Sequence, residues 1–148
     1  MTSPQFSLLQ SDNIDSCYAA HADGQFRPWS KAVFSDCQTP PYFAYKLSLG
    51  EQLFGYYIGL QVLDEITLMD ISIVRQYRAQ GWGKVCIEDF LQQCQKRKGH
   101  EIWLEVRESN QPAINLYSNH GFSLIEKRKS YYETEYGFEA ALIMKCNL

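Results

Sequence analysis

No stretch of this chain approaches the ~20 consecutive apolar residues that a helix needs to cross a bilayer. Its opening MTSPQFSLLQ lacks the basic flank and apolar core of a secretory leader. Neither membrane insertion nor export is expected, and the cytoplasm is the expected compartment. Excess positive charge is missing too: 14 Lys and Arg face 17 Asp and Glu, a net charge of −3. That balance argues against non-specific nucleic-acid binding and leaves room for a basic partner. The cysteines Cys17, Cys37, Cys86, Cys94 and Cys146 are odd in number with no CxxC pair, and His21, His100 and His120 form no HxH or HxxxH pair. A disulfide framework or a metal site is therefore not expected, and the thiols read as buried packing groups. Repeats, low-complexity tracts and linkers are absent. What remains is 148 residues with 45% hydrophobic and 21% charged side chains, consistent with a single domain spanning residues 1–148.

Apolar spacing and turn residues divide the chain into short elements. Ile14, Cys17, Tyr18 and His21 recur at helical spacing between Ser11 and about Ala22, with Asp12 placed as a cap. Ser30, after Pro28-Trp29, suits the cap of a second short helix carrying Val33, Phe34 and Cys37. Tyr42–Leu49 and Leu53–Val62 flank Gly50-Glu51 as a hairpin, and Ile66–Ile73 continues the meander. In that third strand Leu68, Asp70 and Ser72 alternate with Thr67, Met69, Ile71 and Ile73. Ile87, Phe90, Leu91 and Cys94 mark one face of a helix over Val85–Lys98, with Gly99 suited to its C′ position. A strand at Glu101–Val106 turns Ile102, Leu104 and Val106 one way and Trp103 and Glu105 the other. A helix over about Gln111–Asn119, capped by Ser109 or Asn110, precedes closing strands near Phe122–Arg128 and Glu139–Lys145. The fold class is β-rich α+β.

The sharpest local signal is Arg78-Ala79-Gln80-Gly81-Trp82-Gly83-Lys84, between a strand and a helix. Glycine lets the backbone adopt positive φ and approach a ligand closely. The first N–H groups of the helix lack intrahelical partners and carry the positive end of its dipole. Together they form an anion seat. The spacing is neither GxGxxG nor a Walker pattern, which disfavours a dinucleotide or P-loop fold.

In that context the chain resembles the GNAT superfamily of N-acetyltransferases. Arg78, Gly81 and Gly83 match its pyrophosphate signature, Arg/Gln-x-x-Gly-x-Gly. Asn110, Ala113, Leu116, Tyr117, Gly121 and Phe122 match its second signature. Trp103-Leu104-Glu105-Val106-Arg107, Pro28-Trp29-Ser30 and Tyr131-Tyr132 resemble the branch that acetylates ribosomal-protein alanine N-termini. The resemblance runs from Pro28 to Lys145 and is densest from Ile66 to Phe122. It implies a mixed, mostly antiparallel twisted sheet of six to seven strands flanked by about four helices.

It also implies roles. Acetyl-CoA would be the co-substrate, its pantetheine arm paired with Ile71, Ser72 and Ile73. The pyrophosphate would rest on the segment Arg78, Ala79, Gln80, Gly81, Trp82, Gly83 and Lys84, and Asn110 would bond the cofactor further along. Glu105 would be the general base and Tyr117 the general acid, on the first turns of its helix. Trp29, Tyr131 and Tyr132 would bind the acceptor, the N-terminal alanine of a small-subunit ribosomal protein. The chemistry is coherent: the attacking amine must be neutral, a carboxylate can take its proton, and a phenol can protonate the departing thiolate. An α-amine, with pKa near 7.7–8.0 against about 10.4 for lysine, costs roughly 3 kcal/mol less to neutralise. Glu133, Glu135 and Glu139 could form an acidic rim for a basic peptide. The chain departs from the family at Arg27, Arg75, Glu133 and Ala140, where an apolar residue, a proline, a proline and an acidic residue are usual. Other peptide or small-molecule amines, and a non-catalytic CoA-binding module, are the alternatives at this stage.

Overall fold

The computed structural model describes residues 3–148. Strands β1 (Gln5–Leu8), β2 (Tyr42–Leu49), β3 (Gln52–Val62), β4 (Glu65–Ile73), β5 (Glu101–Arg107), β6 (Ser123–Thr134) and β7 (Gly137–Asn147) form one sheet in the order β1-β2-β3-β4-β5-β7-β6. All neighbours run antiparallel except β4 and β5. The helices are α1 (Ile14–Asp23), α2 (Lys31–Ser35), α3 (Trp82–Lys96) and α4 (Gln111–Ser118). Successive strand residues point to opposite faces, so the sheet separates two cores. Tyr57 joins Ile87 and Phe90 of α3 and Tyr117 of α4. Its neighbours Tyr56 and Ile58 join Ile14 and Cys17 of α1 and Phe34 of α2. This is the α+β arrangement that the resemblance implies, with seven strands and four α-helices among the described residues.

Local signals account for most boundaries and miss a few. Ser30 caps α2 through Val33 N–H at 3.2 Å, and Asn110 rather than Ser109 caps α4. Asp12 is no cap; a 3-10 turn over Ser11–Asn13 leads into α1, held by Gln10 N–H donating to Asn13 Oδ1. At the end of α3 the left-handed residue is Lys98 (φ 59°), not Gly99. Lys98 N–H donates to Gln95 O and Gly99 N–H to Cys94 O, both at 3.0 Å, which satisfies the last carbonyls. β1 is invisible in the sequence because only Phe6 of its four residues is partly buried. Among the described residues no helix is long and apolar enough to cross a membrane.

One irregularity shapes everything downstream. Along β3 and β4, Ile58 faces Asp70 while the next residue, Gly59, faces Leu68, so Met69 is an extra residue. Such a bulge reverses which face each later side chain takes. Leu68 lies in the core beneath α3, and beyond the bulge Ile71 takes that face. Asp70 turns to the α1 side, where it meets Tyr56. The regular alternation expected for this strand is thus broken at Met69. β4 also pairs with β5 only at Glu65↔Glu101, Ile66↔Ile102 and Thr67↔Trp103, after which the two strands part.

Gly59 sits opposite the bulge, and a Cβ there would overlap the Phe43 ring. Because Phe43 is buried in the core under α3, Gly59→Ala should lose about 1–3 kcal/mol of stability by overpacking. Urea denaturation measures this; a midpoint indistinguishable from wild type would show that the ring moves aside freely.

Candidate active site

Where β4 and β5 part, a cavity of about 490 Å³ opens, floored by Thr67–Ile71 and Leu104–Arg107. On one flank β4 is paired with β3, at Tyr57↔Ile71, Tyr56↔Ser72 and Gly55↔Ile73. On the other flank those three residues have no strand partner, so the predicted Ile71, Ser72 and Ile73 present an open backbone edge.

The strand runs on into the loop of Arg78–Lys84. Ala79 (φ 60°) and Gly81 (φ 90°) are both left-handed, and α3 begins at Trp82. Among the described residues no acceptor meets the amide N–H groups of 79–84. A Cβ on Gly81 would touch nothing within 4 Å, so backbone conformation rather than crowding calls for glycine there. Ala79 tolerates the same region at a cost of about 1–2 kcal/mol, strain concentrated where the amides must be aimed.

Most of the larger side chains of this loop are engaged elsewhere. Arg78 donates from Nε to Ile73 O at 2.9 Å and lies 3.8 Å from Asp23, bracing the end of β4. Gln80 donates to Gln76 O at 3.2 Å, and the Trp82 ring packs edge-on against Phe54 at 5.1 Å. Lys84 is exposed. Arg78 thus braces the end of β4, and the groups of the loop left bare for an anion are its backbone amides, with Lys84 exposed beside them.

The other predicted residues converge on the cavity. Glu105 projects from β5, with its carboxylate 3.6 Å from Arg128 Nη1. Tyr117 also lines the cavity but sits in the last turn of α4, not the first turns; it is only 6% exposed. Burial, then the nearby Asp70 and Tyr132, holds its phenol above the ordinary value of 10, so it stays protonated. Tyr131 and Tyr132 reach the cavity because β6 slips register between Arg128 and Tyr132, with Ser130 at φ 54°. Tyr132 is pushed up to about 12 by burial and the Glu105 charge, while the Arg107 guanidinium lies 4.4 Å over its ring. Trp29 is fixed by its backbone: its N–H donates to His21 Nε2 at 3.0 Å and its carbonyl accepts from Tyr18 Oη at 2.7 Å.

Asn110 lines the cavity, where its Oδ1 accepts from Ala113 N–H at 3.3 Å as the helix cap and its NH₂ group has no partner among the described residues. The acidic rim is largely neutralised. Glu139 pairs with Arg107 at 3.3 Å and accepts from Ser109 N–H at 3.1 Å, contacts that hold its carboxyl below the usual range, the Ser109 bond foremost. Glu133 pairs with Arg27 at 2.7 Å. Two residues absent from the expectations, His21 and Asp70, line the cavity and bond to each other at 2.8 Å. They lie on different elements 49 positions apart, and no local pattern joins them. Buried thiols supply no nucleophile: desolvation pushes Cys37 up to about 11 and Cys17, Cys86 and Cys94 to about 12.

Comparison with known proteins identifies the family and the fold. The model of the Acetyltransferase (GNAT) family matches residues 7–122. The chain is 34% identical over 138 residues to the [ribosomal protein bS18]-alanine N-acetyltransferase of Escherichia coli K12, covering 93% of each chain. The crystal structure of the ribosomal-protein-S18-alanine N-acetyltransferase from Escherichia coli superposes with a TM-score of 0.92 at 33% identity, over 97% of this chain and 93% of that one. Arabidopsis thaliana NAA60 in complex with acetyl-CoA shares the fold at a TM-score of 0.89 and 14% identity, over 99% of each chain.

If the bare amides of this loop hold a pyrophosphate, Gly81→Val should weaken coenzyme A binding at least about tenfold, because a β-branched residue resists positive φ. Calorimetric titration with coenzyme A reads this directly. Retained affinity in a folded Gly81→Val protein would place the anion elsewhere.

Proposed function

We propose, from the premise that this chain belongs to the GNAT acetyltransferase family, that it moves the acetyl group of acetyl-CoA onto the N-terminal alanine of ribosomal protein bS18. The observation that carries the reading is that Glu105 and Tyr117 line one cavity beside the open edge of β4. An acceptor on the ribosome implies a cytoplasmic enzyme.

The donor would lie along the unpaired edge at Ile71, Ser72 and Ile73, its pyrophosphate on the amides of 79–84 and its far arm near the Asn110 NH₂ group. The acceptor amine enters from the side of Trp29, Tyr131 and Tyr132. Glu105 takes a proton from the amine, directly or through water, as nitrogen attacks the thioester carbon and the new C–N bond forms. Charge builds on the thioester oxygen, and a free strand N–H near Ile71 stabilises it. The C–S bond then breaks, and Tyr117 gives its proton to the departing thiolate. Solvent returns a proton to Tyr117 and removes one from Glu105. No covalent link to the protein is needed, in keeping with the high thiol pKa values.

Glu105→Gln and Tyr117→Phe should each lower kcat about 10²–10⁴-fold with little change in KM for acetyl-CoA. Unchanged turnover in either would remove that residue from its role. The pH profile offers a second check. The rate should rise as the α-amine loses its proton, near pH 7.7–8.0. It should not fall again below about pH 10, because burial keeps the Tyr117 phenol protonated there. A decline at pH 8–9 would point to a different acid. Mass spectrometry after incubation with acetyl-CoA and an alanine-ended bS18 peptide tests the acceptor, and a polyamine acetylated in place of that peptide would refute it.

A further inference from the structure

Asp70 is the one carboxylate of the cavity whose bonds lie chiefly behind it. Its side chain is 8% exposed. Tyr56 Oη–H donates to Oδ2 at 2.5 Å, and His21 Nδ1 lies 2.8 Å from the same oxygen. The protonation of His21 is set by its other nitrogen. Trp29 N–H can only donate, so Nε2 supplies the lone pair and Nδ1 carries the proton that points at Asp70. His21 in this arrangement is neutral, and so is Tyr56. Neither donor cancels the charge of Asp70, and both are committed to Oδ2.

Oδ1 has no hydrogen-bond partner among the described residues, and it is not among the side-chain atoms sealed from solvent without a partner. Asp70 lines the same cavity as Glu105 and Tyr117. Oδ1 is thus an acceptor open to the cavity on a carboxylate otherwise held from behind, placed to take a hydrogen bond from a donor that enters there. The cations nearby are engaged: Arg107 with Glu139 and the Tyr132 ring, Arg128 with Glu105 and Glu126. The chain's own cations are therefore not the donors for Oδ1, which is left to water or to a donor that the acceptor substrate brings.

We propose that Asp70 is a substrate-binding residue whose Oδ1 accepts a hydrogen bond from the terminal amine of the acceptor peptide, opposite Glu105. His21 and Tyr56 are positioning residues that turn that oxygen into the cavity. This deepens the reading above and rests on it. Two acceptors on one nitrogen fix its orientation, so that its lone pair faces the thioester carbon when Glu105 removes a proton.

The test is calorimetry in the presence of coenzyme A with two peptides: an alanine-ended peptide, and the same peptide with its terminal amine replaced by hydrogen. Wild type should bind the amine-bearing peptide at least about tenfold more tightly, as expected for a hydrogen bond to a charged group. Asp70→Asn keeps an oxygen for Tyr56 and His21 but turns an N–H toward the cavity. It should cut that preference about tenfold and raise KM for the peptide, leaving coenzyme A affinity unchanged. An unchanged preference in Asp70→Asn overturns the proposal. Equal binding of the two peptides by wild type overturns it too, even if the variant does not fold. Wild type that acetylates the peptide while Asp70→Asn behaves identically removes Asp70 alone; wild type that acetylates no peptide amine removes the acceptor reading and this proposal with it.

Discussion

The separation of β4 from β5 is the constraint on which the rest depends. Two parallel strands that pair at three positions and then diverge leave backbone groups without partners, a costly state in a protein interior. Here the gap opens into the cavity, so solvent or a ligand can meet those groups. The Met69 bulge adds a residue to β4 just after the last pair with β5 and reverses the facing of the later side chains. One local insertion therefore frees the edge, turns Ile71 into the core beneath α3, and brings Asp70 to Tyr56 and His21. Gly59, opposite the bulge, gives way to the Phe43 ring, so the irregular strand still packs on a filled core.

Burial then sets the chemistry. Tyr117, Tyr132 and Tyr56 are phenols held above their ordinary pKa, chiefly by desolvation, with carboxylates nearby that push the same way. A cavity lined by neutral phenols and two carboxylates suits a cationic substrate group that must shed a proton. Arginines could have spoiled this field. They are instead tied off at its margins, Arg107 to Glu139, Arg128 to Glu105 and Glu126, and Arg27 to Glu133.

Elements governed by local spacing are legible in the sequence. The apolar stripe of Ile87, Phe90 and Cys94 does bury against the sheet, Ser30 and Asn110 do cap their helices, and the Gly81 turn does open α3. The features that escape have no local signature. The bulge hides in a run that still alternates on paper, and its position is visible only against β3. The His21–Asp70–Tyr56 cluster needs α1, β4 and β3 in one place. Tyr131 and Tyr132 lie in a strand that runs to Thr134, well past Arg128, because a register slip at Ser130 interrupts rather than ends it. Arg78 reads through its motif as an anion ligand, and nothing local announces its contacts with Ile73 O and Asp23.

The two ends of the site are thus built from different materials, and that difference bears on how each could change. On the proposed reading the donor end is backbone: the edge of β4 and the amides of 79–84, where Gly81 holds a positive φ. On the same reading the acceptor end is side chain: Trp29, Asp70, Glu105, Tyr131 and Tyr132 come from five separate positions on a loop and three strands. Substitution there would alter what is recognised without touching the donor seat. The replacement of an expected proline by Glu133 belongs to this variable end, and its partner, Arg27, is itself a departure from the apolar residue usual before Pro28. The two departures form an ion pair with each other at 2.7 Å. At 70% and 45% exposure that pair adds little stability, but it links the loop before Trp29 to the strand bearing Tyr132, so the two sides of the acceptor entrance are bridged by the very residues that set this chain apart from the family pattern.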